Sequence, residues 1–131
     1  MSVPESASEL LLTMAEPTRL RILNCLAAAP LFVSDLQALL DLPQPTVSRH
    51  LQVLRRSELV RDTPIAQFVL YRLRRIPGPQ GRLLTAILEA MYADPELRTE
   101  RDRASDRSRG HTDARVLDPE RAAGARSRGL S

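Results

Sequence analysis

Apolar residues cluster along this 131-residue chain with two different periods. Ser8-Glu9-Leu10-Leu11-Leu12-Thr13-Met14 is short and strongly apolar, and predicts a helix. Glu16-Pro17-Thr18 opens a second helix, because proline at the first helical position loses nothing by lacking an N–H. There Leu20, Leu23, Leu26 and Ala27 share one side, the spacing of a core stripe, and Ala28-Ala29-Pro30 ends it. Val33-Ser34-Asp35 opens a third, with Ser34 and Asp35 able to cap free N–H groups; Leu36, Leu39 and Leu40 are its buried side. Asp41-Leu42-Pro43 is a tight break.

The chain restarts at Gln44-Pro45-Thr46 as a fourth helix, with Val47, Leu51 and Leu54 inward and Gln44, Thr46, Ser48, Arg49 and Gln52 outward. Leu59–Asp62 and Gln67–Leu73 then alternate with period two and predict two strands, joined by a turn at Thr63-Pro64-Ile65-Ala66. After the breaker Pro77-Gly78-Pro79, Leu83, Leu84, Ile87, Leu88 and Met91 form the broad apolar face of a last helix. The apolar pattern fails near Asp94. That helix extends to about Arg103 on polar residues, and residues 104–131 read as a polar, disordered tail too poor in apolar side chains to offset its ordering entropy. The expectation is one ordered domain over residues 1–103, mainly α with a small β-hairpin, in the order α-α-α-α-β-β-α.

Composition narrows the class. The chain is 43% hydrophobic and 27% charged, but only 3% aromatic, so aliphatic residues must fill a mostly helical core. No apolar run is long enough to cross a bilayer, and no basic segment precedes an apolar run at the N-terminus. These features predict a cytoplasmic protein with no membrane partner. One cysteine, Cys25, excludes an intrachain disulfide. All nineteen basic residues are arginine, which suits phosphate recognition but equally fits an arginine-biased genome. Their placement says more. From Pro43 to Arg82 eight arginines face two acids, whereas the first forty-two residues hold two arginines and five acids, and the remainder balances.

Two short helices around a tight turn, the second polar outside and followed by a basic hairpin, predict a DNA-reading head. The second helix can enter a major groove with its N-terminal side chains at base edges. Arg55, Arg56, Arg61, Arg72, Arg74 and Arg75 can supply phosphate contacts. A helical hairpin with a solvated basic face, docking a protein partner, is the alternative; the confined arginine excess counts against it. An enzyme has less support. There is no glycine-rich phosphate loop, no metal cluster and no nucleophile with an evident base, so catalytic residues and cofactors are expected to be none.

The blocks Ala15–Leu23, Val33-Ser34-Asp35-Leu36, Pro45–Leu54 (with Thr-Val-Ser-Arg-His-Leu) and Tyr71-Arg72-Leu73 resemble the ArsR/SmtB family of bacterial repressors, over roughly Leu10 to Met91. The resemblance implies a winged helix-turn-helix transcriptional repressor that binds double-stranded operator DNA as a homodimer, with the first and last helices at the interface. Leu10, Leu11, Met14, Leu83, Leu84, Ile87, Leu88 and Met91 fit that interface. It also implies that Ser48 and His50 touch DNA backbone or base edges and that Gln44 and Arg49 read sequence. The helical position of His50 leaves a packing role open beside a DNA contact.

Two departures from the family stand out. Glu58 replaces a common glycine after the recognition helix, where a left-handed residue costs strain. The positions matching the paired cysteines of soft-metal sensors hold Phe32 and Ser34, and no histidine lies between Gly81 and Arg103. No metal site is expected from Cys25, His50 and a His111 in the tail. Control then falls to a small organic ligand, a protein effector or expression level. Cys25 reads as a semi-buried filler ahead of a reactive thiol.

Overall fold

The computed structural model describes residues 6–117, with side chains through residue 111. Six helices and a three-stranded sheet follow in the order α1 (Ala7–Met14), α2 (Pro17–Leu26), β1 (Leu31–Phe32), α3 (Val33–Leu40), α4 (Gln44–Arg56), β2 (Val60–Ile65), β3 (Phe68–Leu73), α5 (Gly78–Tyr92) and α6 (Pro95–Leu117). The sheet is antiparallel with β3 central, between β1 and β2. The expected mainly α winged-helix architecture is present, with two additions, β1 and α6.

Local chemistry sets most boundaries. Ser6 and Glu9 form a reciprocal capping box, each side chain accepting the other's backbone N–H at 3.1 Å. Glu16 caps α2 by accepting the Arg19 N–H, and Pro17 follows at the first turn. The helix α4 ends in a Schellman motif: the Leu59 N–H donates to Leu54 O and the Glu58 N–H to Arg55 O, both at 3.0 Å. Glu58 therefore does take the left-handed conformation, φ 63°, at the position where the resemblance implies a glycine. Arg74 offsets part of the strain, since its guanidinium donates to the Glu58 carboxylate at 2.9 Å. The hairpin is longer than expected. Ile65 pairs with Phe68, so Thr63 and Pro64 are strand residues and the turn is Ala66-Gln67. Proline is tolerated there because β2 is an edge strand.

The core draws Leu10 and Met14 from α1, Ile22, Leu23 and Leu26 from α2, Leu36, Leu39 and Leu40 from α3, and Val47, Leu51 and Leu54 from α4. Leu84, Leu88 and Met91 add α5. The stripe predicted on α2 is too narrow: every residue from Ile22 to Leu26 is buried, Asn24 and Cys25 included, while Leu20 and Ala27 are only partly so. The cause is that α1, α3, α4, α5 and α6 all pack on α2.

The main correction concerns the C-terminal region. The last helix does not run through to Arg103; it stops at Tyr92, and a new one starts at Pro95 and continues to Leu117. The side chain of Asp94 accepts the N–H groups of Glu96 and Leu97, and so caps α6 ahead of its first-turn proline. Hydrophobic periodicity hides this helix because its inner side is mostly polar. Arg21 reaches Glu100 Oε2 through two N–H donors, at 2.6 and 3.0 Å. Asn24 donates to Leu97 O at 2.8 Å and accepts from Arg101 Nε at 2.9 Å. Ala104 is fully buried. Arg107 Nε and His111 Nε2 both meet Asp35 Oδ1, at 2.6 and 2.5 Å. Residues 104–111 thus belong to the fold and not to a solvated tail; residues 118–131 lie outside the described residues.

Removing residues 104–131 should lower stability by about 2 kcal/mol, because the buried Asp35 carboxylate loses two of its partners and Ala104 its packing. Thermal unfolding followed by circular dichroism should show the midpoint falling by roughly 10 °C. A shift under ~2 °C would mean that the helix beyond Arg103 contributes nothing.

Candidate nucleic-acid interface

The helix α4 carries a 13-residue amphipathic segment whose apolar side, Val47, Leu51 and Leu54, is fully buried. That leaves Gln44, Arg49, Gln52, Arg55 and Arg56 exposed, with Thr46 and Ser48 half-buried. Gln44 Nε2 donates to Ser48 Oγ at 2.7 Å, which orders the first turn of the exposed side. The amide's oxygen and second N–H remain available for a base edge.

The β2–β3 hairpin stands beside the C-terminal end of α4. Arg61 lies directly across from Arg72 in the ladder, and both are exposed. Like charges in that position repel by a few tenths of a kcal/mol, and neither arginine has an ion-pair partner among the described residues. Next to them, Arg55 Nε is held by Asp62 Oδ1 at 3.0 Å, and Arg56 is exposed. Arg74, expected at a phosphate, has a structural partner as well. It is engaged by Glu58 and its backbone N–H donates to Leu59 O at 3.0 Å, so it fastens the corner between α4 and the hairpin.

His50 lies on the inner side of α4. Its Nδ1 is 3.4 Å from Arg19 Nη1 and 3.9 Å from Glu16 Oε1, which is the packing alternative. Arg19 extends the link, since its Nε donates to Thr13 O at 2.7 Å, tying the end of α1 and the start of α2 to the recognition helix. Sequence reasoning missed Arg19. The signal available was its place three residues beyond the Glu16 cap, on the turn that faces α4.

The eight residues expected at a subunit interface divide. Leu10, Met14, Leu84, Leu88 and Met91 are buried within the single chain, so they serve its own core. Leu83 and Ile87 are half-buried, and Leu11 is exposed beside Leu12, which periodicity does not pick out and which is 71% exposed. Phe32 packs its ring edge-on against Phe68, and Ser34 is exposed. Among the described residues no three His, Cys, Asp or Glu side chains converge in a way that could hold a metal ion, and no helix is long and apolar enough to cross a membrane.

Cys25 is completely buried. Burial, reinforced by the nearby Glu100 carboxylate, pushes its thiol up to about 12. The thiolate is the reactive form. At pH 8 the folded protein should therefore react with neither a disulfide reagent nor arsenite, and react fully once unfolded in guanidinium. Stoichiometric labelling of the native protein within minutes would show the thiol to be accessible.

The model of the bacterial regulatory proteins of the arsR family matches residues 16–62. The biofilm growth-associated repressor of Agrobacterium fabrum (strain C58) is 39% identical over 87 residues, covering 66% of this chain and 72% of that protein. The arsenical resistance operon repressor of Escherichia coli K12 is 42% identical over 73 residues, 54% of this chain and 62% of that protein. Among solved structures, the transcriptional repressor BigR from Xylella fastidiosa superposes with a TM-score of 0.57 at 29% identity, covering 66% of this chain and 83% of that one. Reduced HlyU from Vibrio cholerae gives 0.56 at 34% identity, covering 66% and 85%. The chain belongs to the arsR family of bacterial regulatory proteins and is a winged-helix, DNA-binding transcriptional regulator, not an enzyme.

Proposed function

We propose that this chain is a homodimeric repressor that acts in the cytoplasm on double-stranded operator DNA. The α4 helix enters the major groove with Gln44, Ser48, Arg49 and Gln52 at base edges. Arg56 on α4 and Arg61 and Arg72 on the hairpin take phosphates of the flanking backbone. The observation that carries this reading is the facing pair Arg61 and Arg72. Two exposed guanidiniums held opposite one another, with no carboxylate paired to either among the described residues, suit a polyanion that passes over both. Repression, as opposed to activation, is supported by the names of the relatives.

The dimer is supported by apolar surface that one chain leaves uncovered. Leu11 and Leu12 project from α1, which packs on α5, and α5 carries the half-buried Leu83 and Ile87. Control by a metal through a site of its own is not part of this reading. Cys25 is sealed in the core, His50 Nδ1 faces Arg19 on the inner side of α4, and His111 Nε2 meets Asp35. A small organic ligand or a protein partner remains the reading for an effector.

DNA selected from a random library should carry two near-palindromic half-sites about one helical turn (~34 Å) apart. Arg49→Ala should weaken binding to that duplex by roughly 1–3 kcal/mol and relax base preference. Leu12→Glu should yield monomers in ultracentrifugation and lose most of the affinity. Footprints over a single half-site, or full dimerisation of the Leu12 variant, would contradict the dimer reading.

A further inference from the structure

One carboxylate joins three parts of the molecule that hydrophobic patterning does not connect. Asp35, in the first turn of α3, is completely buried. Its Oδ2 accepts the Phe32 N–H at 2.8 Å, which fixes β1. Its Oδ1 meets Arg107 Nε at 2.6 Å and His111 Nε2 at 2.5 Å, both from α6. Strand β1 in turn pairs with the wing's central strand, Leu31 opposite Tyr71 and Phe32 opposite Leu70.

A second path runs parallel to the first through aromatic rings. The His111 ring lies edge-on to Phe32, with centroids 5.7 Å apart. Phe32 is edge-on to Phe68 at 6.0 Å. Phe68 closes the hairpin opposite Ile65, so the row ends at the wing tip. Phe68 is itself 53% exposed.

We infer that α6 is a strap that sets the wing: its turn from Arg107 to His111, clasped on Asp35 and resting on Phe32, holds the β2–β3 hairpin in the DNA-binding orientation. Asp35, Arg107 and His111 are positioning residues and none of them touches DNA. The inference rests on the reading that the wing contacts phosphate, and it supplies what that reading lacks. The base of the hairpin packs on α2, α3 and α4, but toward the tip, past the pairing of Leu70 and Tyr71 with β1, it is a two-stranded ribbon, marginally stable alone. With Arg61 and Arg72 repelling beside it, support through β1 and Phe32 adds to what holds the two arginines together. When α6 is undocked, the Asp35 carboxylate that accepts the Phe32 N–H loses both of its cationic partners, Phe32 loses the His111 ring, and the wing arginines are held together less firmly. The strap therefore offers a place where an effector that grips α6 can change DNA affinity without approaching the reading helix.

The test uses the full chain, with amide hydrogen exchange read without DNA. His111→Ala should leave the circular dichroism spectrum intact and speed exchange at residues 60–73 by roughly tenfold through local opening. Exchange within α4 should stay unchanged. Asp35→Asn, which keeps an acceptor for the Phe32 N–H but loses the charge, should do the same. Arg109→Ala, on the exposed side of the same helix beside Ser105 and Asp106, should change nothing. On the duplex selected by the wild-type protein, the first two variants should bind about 5–10-fold more weakly, with a shallower salt dependence. If α6 opens in both variants while exchange at residues 60–73 stays at the wild-type rate, the strap is only a stabilising helix and the inference is overturned. A wing that loosens with no loss of affinity would keep the strap and reject the wing's contact with phosphate.

Discussion

A carboxylate stripped of water costs several kcal/mol unless donors replace the lost hydration, and Asp35 has no exposed surface at all. Its donors come from the residue before α3 and from the far end of α6. They converge only when β1, α3 and α6 are docked together. The start of the helix-turn-helix, the inner edge of the wing sheet and the C-terminal helix are thus held to one arrangement by one charge. Arg107 and His111 keep partial contact with solvent, so the clasp stays responsive to its surroundings while the carboxylate does not.

The same economy governs the packing of α6 on α2. An apolar seam would need more large side chains than this stretch has, since among its described residues only Leu97 packs against the core beside Ala104; a polar seam of Arg21, Asn24, Glu100 and Arg101 takes its place around the fully buried Ala104. One acceptor, Glu100 Oε1, is buried without a partner among the described residues, and it belongs to the carboxylate that helps keep the neighbouring Cys25 thiol protonated. Buried from Ile22 to Leu26, α2 can present its N-terminal turn to α4 as a fixed support. Arg19 there meets His50, beside the buried Val47, Leu51 and Leu54 that set which side of the reading helix faces out.

How much of this is legible in the sequence follows the kind of chemistry involved. Where apolar side chains carry the packing, period and spacing locate the elements: Val47, Leu51 and Leu54 place α4, and with it the outward Gln44, Arg49 and Gln52. The resemblance locates Glu58 as an exceptional position, and the structure gives it the left-handed φ. Polar packing leaves no periodic trace. The chain signals α6 only through Asp94-Pro95-Glu96, a cap, a first-turn proline and an acid, and the failing apolar pattern outweighs that signal. Cross-strand and long-range pairs are equally silent. Nothing local distinguishes Arg74, which holds Glu58, from Arg72, which has no ion-pair partner among the described residues, nor ties Asp35 to residues more than seventy positions away.

The central claim is that the exposed pair of the wing, Arg61 opposite Arg72, meets the DNA backbone. Affinity for the selected duplex, measured by fluorescence anisotropy across a range of salt concentrations, tests it most directly. In Arg61→Ala/Arg72→Ala the slope of log K against log salt should fall by about two for each chain bound, near 0.9 for every phosphate left without its guanidinium. Base preference should be unchanged. A double variant with the slope of the wild-type protein would contradict the account.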